Sequence, residues 1–258
     1  MSTVQNIDVH LDDVDLRILR ELEVDGRQSI SALAKKLGIS RAYAGKRMQN
    51  LLDRKITRIV AFTQPQVLGF RTVALIGIQV SLSELHTAAN RLRALPSVQM
   101  VMIAAGRHNI VAWAMFADPM DLSSFLTSEL GNIPGIKSTE TSMVLEWRKM
   151  SFSYMASSNL GITGPQPQEA SVHEPSVAPS SDLSIDELDL EILQELEEDG
   201  RQPVSYLAKK LGTSRAYMSA RLQRILDLRI TRIVAHTNPM ALGYRIFAMI
   251  GIKVVPSD

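Results

Sequence analysis

A short basic segment carries the side chains of this sequence that could do chemistry. Residues 40–54 combine a serine with side chains that can bond bases and phosphates: Ser40, Arg41, Tyr43, Lys46, Arg47, Asn50 and Arg54. Arginine can form two hydrogen bonds with guanine, asparagine can do so with adenine, and lysine mostly holds phosphate. The segment recurs later in the chain with Ser214, Arg215, Tyr217, Ser219, Arg221 and Arg224. Both segments therefore predict contact with double-stranded DNA.

The chain contains one unit twice. Residues 11–80 and 185–254 align without a gap, and about 43 of the 70 aligned pairs are identical, which indicates a duplication. Residues 27–58 hold nine basic residues and one acidic residue, and residues 201–232 hold eight and one. Such charge could belong to an ordinary solvated face. Its repetition on the same elements favours binding of a polyanion.

Three helices are needed to position each basic segment. Apolar residues at helical spacing predict helices in the first copy over about 12–24, 30–37 and 41–54. Ser29 and Ser40 can cap the second and third helices, and Pro203 replaces the first of these serines in the second copy. The pattern predicts helix-turn-helix (HTH) motifs over about 30–50 and 204–224. Tyr43 and Tyr217 could contact nucleic acid or pack on the preceding helix.

A short apolar segment follows the first motif. Ile56, Ile59 and Val60 indicate a strand that ends by Pro65, and residues 57–63 are expected to form the hinge that leads out of the motif. Residues 72–155 then alternate between apolar runs and amphipathic helices in the order β-α-β-β-α-β. This order is typical of a ferredoxin-like sheet with both helices on one face. The other face needs a cover, and a second copy of the domain is the simplest one.

The rest of the chain predicts a linker and a partial repeat. Residues 156–184 are rich in Ser, Pro and Gly and contain no Lys or Arg, which is typical of a flexible linker. Such a linker spans roughly 30 Å, close to the about 34 Å between half-sites one helical turn apart. Residues 241–258 correspond to the first strand of a second ferredoxin-like domain. That strand either pairs with another chain or belongs to a longer product, and the second interpretation is favoured.

Composition narrows the classes of function. The sequence has no cysteine, which fits a reducing cytoplasm, and no apolar run near the length of a membrane span. We find no phosphate-binding glycine loop, metal-ligand spacing or nucleophile–base pattern, so neither an enzyme nor a cofactor or metal site is predicted. His108 is a lone histidine in a hairpin, for which a turn or pocket role is favoured over metal binding. Trp113 and Trp147 are expected in a core or an interface.

The motifs resemble the leucine-responsive regulatory protein and AsnC family, also called feast/famine regulators. The resemblance rests on LDDVDLRIL, the DGR turn, LAKKLGIS, Arg47 seven residues after Ser40, and LGF before the next strand. It implies an effector-binding domain in residues 72–150 that pairs into a β-sandwich. It also implies an effector site at the hairpin Gly106, Arg107, His108 and Asn109. The family often has Gly-x-x-Asp at this hairpin, whereas this chain ends it with asparagine.

The prediction is an α+β protein with two winged-type HTH domains flanking one ferredoxin-like βαββαβ effector domain. The predicted ranges are 1–64 (HTH), 65–155 (effector binding and dimerisation), 156–184 (linker), 185–240 (second HTH) and 241–258 (first strand of a truncated second effector domain). The expected function is sequence-specific transcriptional regulation, modulated by an amino acid or a related small metabolite. The alternative is a small-molecule sensor that acts mainly through protein partners and whose DNA binding is degenerate. The expected partners are double-stranded DNA, an amino-acid-like effector and a second copy of the chain through residues 72–150, with no membrane.

Overall fold

The computed structural model describes residues 10–148, 154 and 185–253, and its first part is an HTH unit. That unit consists of α1 (Asp13–Val24), α2 (Ile30–Leu37), α3 (Arg41–Asp53) and β1 (Thr57–Thr63). The predicted caps are confirmed: the Ser29 hydroxyl accepts a hydrogen bond from the Ala32 N–H, and the Ser40 hydroxyl accepts one from the Tyr43 N–H. Asp12 caps α1 in the same way, so each helix begins where its cap predicts.

A four-stranded domain follows the first HTH unit. Its elements are β2 (Thr72–Val80), α4 (Leu85–Arg93), β3 (Val98–Ile103), β4 (Ile110–Phe116), α5 (Pro119–Ser124) and β5 (Ile136–Met143). A 3-10 turn precedes α4, and a π-helical stretch and a second 3-10 turn follow α5. The strands are antiparallel in the order β3-β4-β2-β5, which is the predicted ferredoxin-like arrangement. We call residues 72–143 the sensor domain.

The two faces of the sensor sheet differ. Ile76 and Ile78 of β2 are buried against the helices, where Leu92 and Phe125 complete the core. Leu75 directly precedes Ile76 and pairs in register with Trp113, which pairs in turn with Met100. Because side chains alternate along a strand, these three residues lie on the face away from the helices. The rings of Trp113 and Trp147 lie 5.5 Å apart.

The second HTH unit repeats the first. Its elements are α6 (Glu187–Glu198), α7 (Val204–Lys210), α8 (Arg215–Asp227) and β6 (Thr231–Thr237). Pro203 precedes α7 without a side-chain cap, and the helix still begins at the predicted place. Ser214 caps α8 through the Tyr217 N–H, as Ser40 caps α3.

The two HTH units pair with each other through an antiparallel ribbon of β1 and β6. The register runs from Thr57 opposite Thr237 to Thr63 opposite Thr231, and its central pair is Val60 opposite Val234. Those two valines are equivalent positions of the duplicated unit. An antiparallel pair that is centred on equivalent residues relates its two strands by a local twofold axis. The two HTH units of one chain are therefore arranged as a pseudo-symmetric dimer.

Reciprocal contacts extend this symmetry beyond the strands. The Gly26 N–H donates to the Ile233 carbonyl and the Gly200 N–H donates to the Ile59 carbonyl, each at 2.8 Å. α1 packs against β6 and α6 packs against β1. One hydrophobic core combines residues of both units, among them Ile18, Leu51, Ile59, Ile192, Ile225 and Ile233. The units thus share a single core and do not fold as separate bodies.

Three sequence-based expectations need correction. Residues 57–63 are a paired strand and not a hinge, and β1 pairs with β6, so the described residues contain no wing hairpin beside either motif. Residues 244–253 form no strand, whereas their counterpart β2 is held on both sides by β4 and β5. A strand needs such hydrogen-bonding neighbours, and no described residue supplies them to this segment. The predicted linker, residues 156–184, lies outside the described residues.

We expect Gly26→Ala and Gly200→Ala each to lower the free energy of unfolding by about 1–3 kcal/mol because they overpack the junction. A methyl group on Gly26 would lie 2.8 Å from Ile59 Cγ2, and one on Gly200 would lie 2.7 Å from Ile233 Cγ2. Urea unfolding followed by circular dichroism measures the change. Gly45→Ala is the control: its methyl group meets Ile30 at an ordinary 3.6 Å, and we expect a gain of about 0.5–1 kcal/mol. Equal effects at the three glycines would contradict the close packing.

Candidate nucleic-acid interface

The outer face of α3 presents a polar and basic surface. Arg41, Lys46, Asn50 and Arg54 are all exposed, and they were all predicted from the sequence to bind DNA. Tyr43 is 41% exposed, and the Arg47 guanidinium lies 5.9 Å from the centre of its ring. Ser40 acts as the helix cap, so its hydroxyl is engaged with the Tyr43 N–H. Five of the predicted side chains are therefore exposed along α3 and at its C-cap.

The outer face of α8 is similar at its start and different in its middle. Arg215, Tyr217 and Ser219 are exposed, and Ser214 caps the helix. Tyr217 is 49% exposed, with the Arg221 guanidinium 5.7 Å from its ring centre. Arg224, which replaces Asn50, is partly buried. The second unit thus offers fewer of the predicted contact residues.

Arg47 is not part of the exposed surface, although the sequence predicted a DNA contact. Its guanidinium is turned toward α1, where Nε donates to Asp15 Oδ1 at 2.9 Å and Nη2 donates to Asp12 Oδ2 at 2.6 Å. A further contact joins Nη2 to the second oxygen of Asp15. The hydrogen bond to Asp15 raises the pKa of Arg47. These bonds tie α3 to the start of α1, and we propose a structural role for Arg47 beside the predicted DNA contact, which stays a prediction.

Arg221 occupies the equivalent place in the second unit. It forms an ion pair with Asp186, and its Nη2 lies 3.0 Å from Asp189 Oδ1 without the alignment of a hydrogen bond. Arg224 Nη1 donates to the other oxygen of Asp189 at 3.1 Å. Asp189 is fully buried, so this carboxylate draws two arginines inward. We propose the same structural role for Arg221, whose predicted DNA contact stays a prediction, and Arg224 forms an ion pair with Asp189.

Sequence reasoning missed the residues that join the two units. Arg27 Nη2 donates to the Gln202 carbonyl at 2.8 Å, and Arg201 Nη2 donates to the Gln28 carbonyl at 3.3 Å. Arg201 also donates to the Gly26 carbonyl. Burial, followed by the nearby Arg201, lowers the pKa of the Arg27 guanidinium. The sequence did contain a signal for these contacts, because both copies keep Asp-Gly-Arg-Gln. A basic DNA-binding face would require only the arginine of this segment.

The predicted effector hairpin forms a small polar cluster at one end of the sensor sheet. Arg107 is exposed, and Glu140 of β5 lies 3.7 Å from it and 3.4 Å from His108 Nε2. The His108 ring packs against Gly77 of β2. Asn109 is engaged with backbone: its amide oxygen accepts from the Val80 N–H and its amide nitrogen donates to the Val80 carbonyl. Of the predicted site, Arg107 and His108 thus lie beside Glu140, and Asn109 holds the end of β2.

The described part of the chain lacks two other kinds of site. Within residues 10–148, 154 and 185–253, no cluster of three or more His, Asp and Glu side chains is placed to hold a metal ion. None of the helices described there combines the length and the apolarity that crossing a membrane requires.

Comparison with known proteins matches both parts of this arrangement. The family model described as AsnC-type helix-turn-helix domain matches residues 11–52 and again residues 185–225. The model described as Lrp/AsnC ligand binding domain matches residues 73–154. An uncharacterized HTH-type transcriptional regulator of Pyrococcus furiosus is 35% identical over 144 residues, which are 55% of this chain and 97% of that protein. The chain belongs to the Lrp/AsnC family.

Other members of the Lrp/AsnC family show the same coverage. The HTH-type transcriptional regulator LrpA of Pyrococcus horikoshii is 30% identical over 53% of this chain and 97% of its own length. The solved structure of AsnC from E. coli is 27% identical and covers 55% of this chain and 97% of that one, with a TM-score of 0.51. Each of these relatives is matched nearly whole by a little over half of this chain. The chain thus contains more than one family unit, in agreement with its second HTH match.

Proposed function

We propose that this Lrp/AsnC family member is a sequence-specific transcriptional regulator whose two HTH units act together on one DNA site. The observation that carries the proposal is the pairing of β1 with β6, which holds α3 and α8 of one chain in a twofold relation. HTH dimers with this symmetry read two inverted half-sites, because the symmetry of the site mirrors that of the protein. Here a single chain supplies both halves of the pair.

The charge of the two outer faces supports this proposal. Arg41, Lys46 and Arg54 of the first unit and Arg215 of the second are exposed cations that can replace the counterions of phosphates. Asn50 offers a side chain that can read adenine. Because the start of each helix is exposed and capped by a serine, these groups can enter a major groove without rearrangement of the motif.

We further propose that a small metabolite with an amino and a carboxylate group binds at the sensor hairpin. Arg107 and His108 can attract a carboxylate, and Glu140 can attract an ammonium group. The outward sheet face around Leu75 and Met100 offers an apolar surface for a second sensor domain. Two chains joined there would carry four HTH units. Calorimetric titration with single amino acids, with and without DNA, tests the metabolite.

Selection of bound duplexes from a random pool tests the DNA proposal. We expect enrichment of a site with two inverted half-sites, and a binding constant that falls steeply as salt rises. Arg41→Ala should weaken binding to the selected site by about ten- to a hundredfold, since a two-bond base contact contributes about 1–3 kcal/mol. Gln66→Ala, an exposed change outside both helices, is the matched control. Recovery of no preferred sequence would contradict sequence-specific binding.

A further inference from the structure

The two HTH units of the pair are not equivalent at their outer faces. Both third helices begin with Ser-Arg-Ala-Tyr, but Lys46 is replaced by Ala220, Asn50 by Arg224 and Arg54 by Leu228. Lys46, Asn50 and Arg54 are exposed, and so are Ala220 and Leu228. The differences therefore fall on the surface that would meet DNA, whereas the helix caps and the ion pairs to the first helix of each unit are kept.

The substitution of Asn50 by Arg224 does not compensate for the lost lysine. Arg224 is directed toward the buried carboxylate of Asp189, with Nη1 3.1 Å from Oδ2. In the first unit the equivalent carboxylate, Asp15, is bonded by Arg47. Asn50 consequently stays exposed. Among the cations of α8 described in the structure, only Arg215 is exposed, while α3 and its C-cap residue expose Arg41, Lys46 and Arg54.

We propose that the first HTH unit supplies most of the base discrimination and that the second unit is a weaker anchor. The DNA site would then consist of two inverted half-sites with unequal information, bound by the chain in one orientation. This inference rests on the proposed function. It differs from the symmetric case, in which two identical units read two identical half-sites, because here the fixed pairing of β1 with β6 joins two different recognition surfaces in every molecule.

Exchange of the lysine between the two units tests the inference with the full-length chain. The plot of log K against log salt has a negative slope, and removal of one phosphate contact makes this slope less steep by about 0.9. We expect the slope to become less steep by about 1 in Lys46→Ala. In Ala220→Lys it should become steeper by about 1, and binding should be stronger. Both positions are exposed on helices, and thermal unfolding of each variant checks that its fold is intact.

A matched pair of arginine variants tests the unequal roles directly. Arg41→Ala should weaken binding to the selected site at least about tenfold more than Arg215→Ala, although the two residues are equivalent. Duplexes that carry either half-site twice should also differ, with tighter binding to the doubled half-site of the first unit. Equal losses and a site with two equal halves would overturn the inference while leaving the proposed function intact. Absence of salt-sensitive binding to any duplex would instead overturn the proposed function.

Discussion

Ile59→Asp and Ile233→Asp should each separate the two HTH units and weaken binding to a two-half-site duplex by up to about 10²–10⁴-fold. The two isoleucines are equivalent, and both are nearly completely buried in the shared core. An unpaired carboxylate in such a place costs several kcal/mol, of which part can be relieved only by opening the strand pair. Once the strand pair opens, the units remain connected only through the chain, so binding of one no longer holds the other in position over the second half-site.

The measurement compares one duplex with two half-sites and one with a single half-site. Wild-type protein should strongly prefer the former, while the aspartate variants should show a much smaller preference. Gln66→Asp adds the same charge at an exposed position just after β1, and it should retain the wild-type preference. Ile59→Ala provides a milder variant that should unfold at lower denaturant and lose part of the preference. Undiminished affinity of Ile59→Asp for the longer duplex would contradict intrachain pairing.

A second measurement separates loss of pairing from loss of folding. A protease site placed within residues 156–184 allows the chain to be cut between the sensor domain and the second HTH unit. Because the two units share a core and a strand pair, we expect the wild-type fragments to elute together. The fragments of Ile59→Asp should elute apart. Separation of the wild-type fragments would show that the covalent connection alone holds the units together.

The elements of each HTH unit could be predicted because their signals are local. Ser29 and Ser40 lie directly before helices whose apolar residues recur at helical spacing, so cap and core indicate the same boundary. The sensor strands were predictable for the same reason, since each lies between clear turns. The pairing of β1 with β6 could not be predicted in this way. The alternation of side chains shows which face of a strand is buried, but it does not show which strand pairs with it.

The strand sequence did contain a hint of that partner. TRIVAFT and TRIVAHT differ at one position, and a threonine lies at each end of both. In an antiparallel pair of such strands the end threonines meet, and the structure places Thr63 Oγ1 3.1 Å from Thr231 Oγ1. Self-complementarity of a duplicated strand is thus a signal for an internal dimer. A winged motif predicts a different partner, namely a second strand next to β1 within the same unit. The structure instead pairs β1 with β6.

The sequence did not predict which way the arginine side chains of the candidate site point. Arg41 and Arg47 are both basic residues of one helix, but only the first lies on the exposed side. Helical spacing offered some guidance, since Arg47 lies between the buried Ala44 and Leu51. The deciding factor is Asp15, whose buried carboxylate lies on another helix and becomes a neighbour only when the helices pack.

Arg47→Ala is expected to lower the free energy of unfolding by about 3–5 kcal/mol, since it leaves the buried Asp15 carboxylate without its partner. The Asp15 side chain is 3% exposed and the Arg47 side chain 23%. Arg221→Ala should cost less, because Arg224 still donates to Asp189 in the second unit. Urea unfolding of the two variants measures this difference. Arg148→Ala breaks the exposed pair with Glu146, and it should change stability by only about 0–1 kcal/mol.

A compensating variant distinguishes this structural role from a DNA contact. Replacement of the pair by apolar side chains, Asp15→Leu with Arg47→Met, should recover most of the lost stability, because no buried charge is then left unpaired. If Arg47 serves only to join α3 to α1, this double variant should bind DNA with the salt slope of the wild type. If Arg47 instead binds a phosphate, the salt dependence of the double variant should be less steep by about 0.9. A double variant that is as stable as the wild type but has the less steep salt dependence would show that Arg47 contacts DNA.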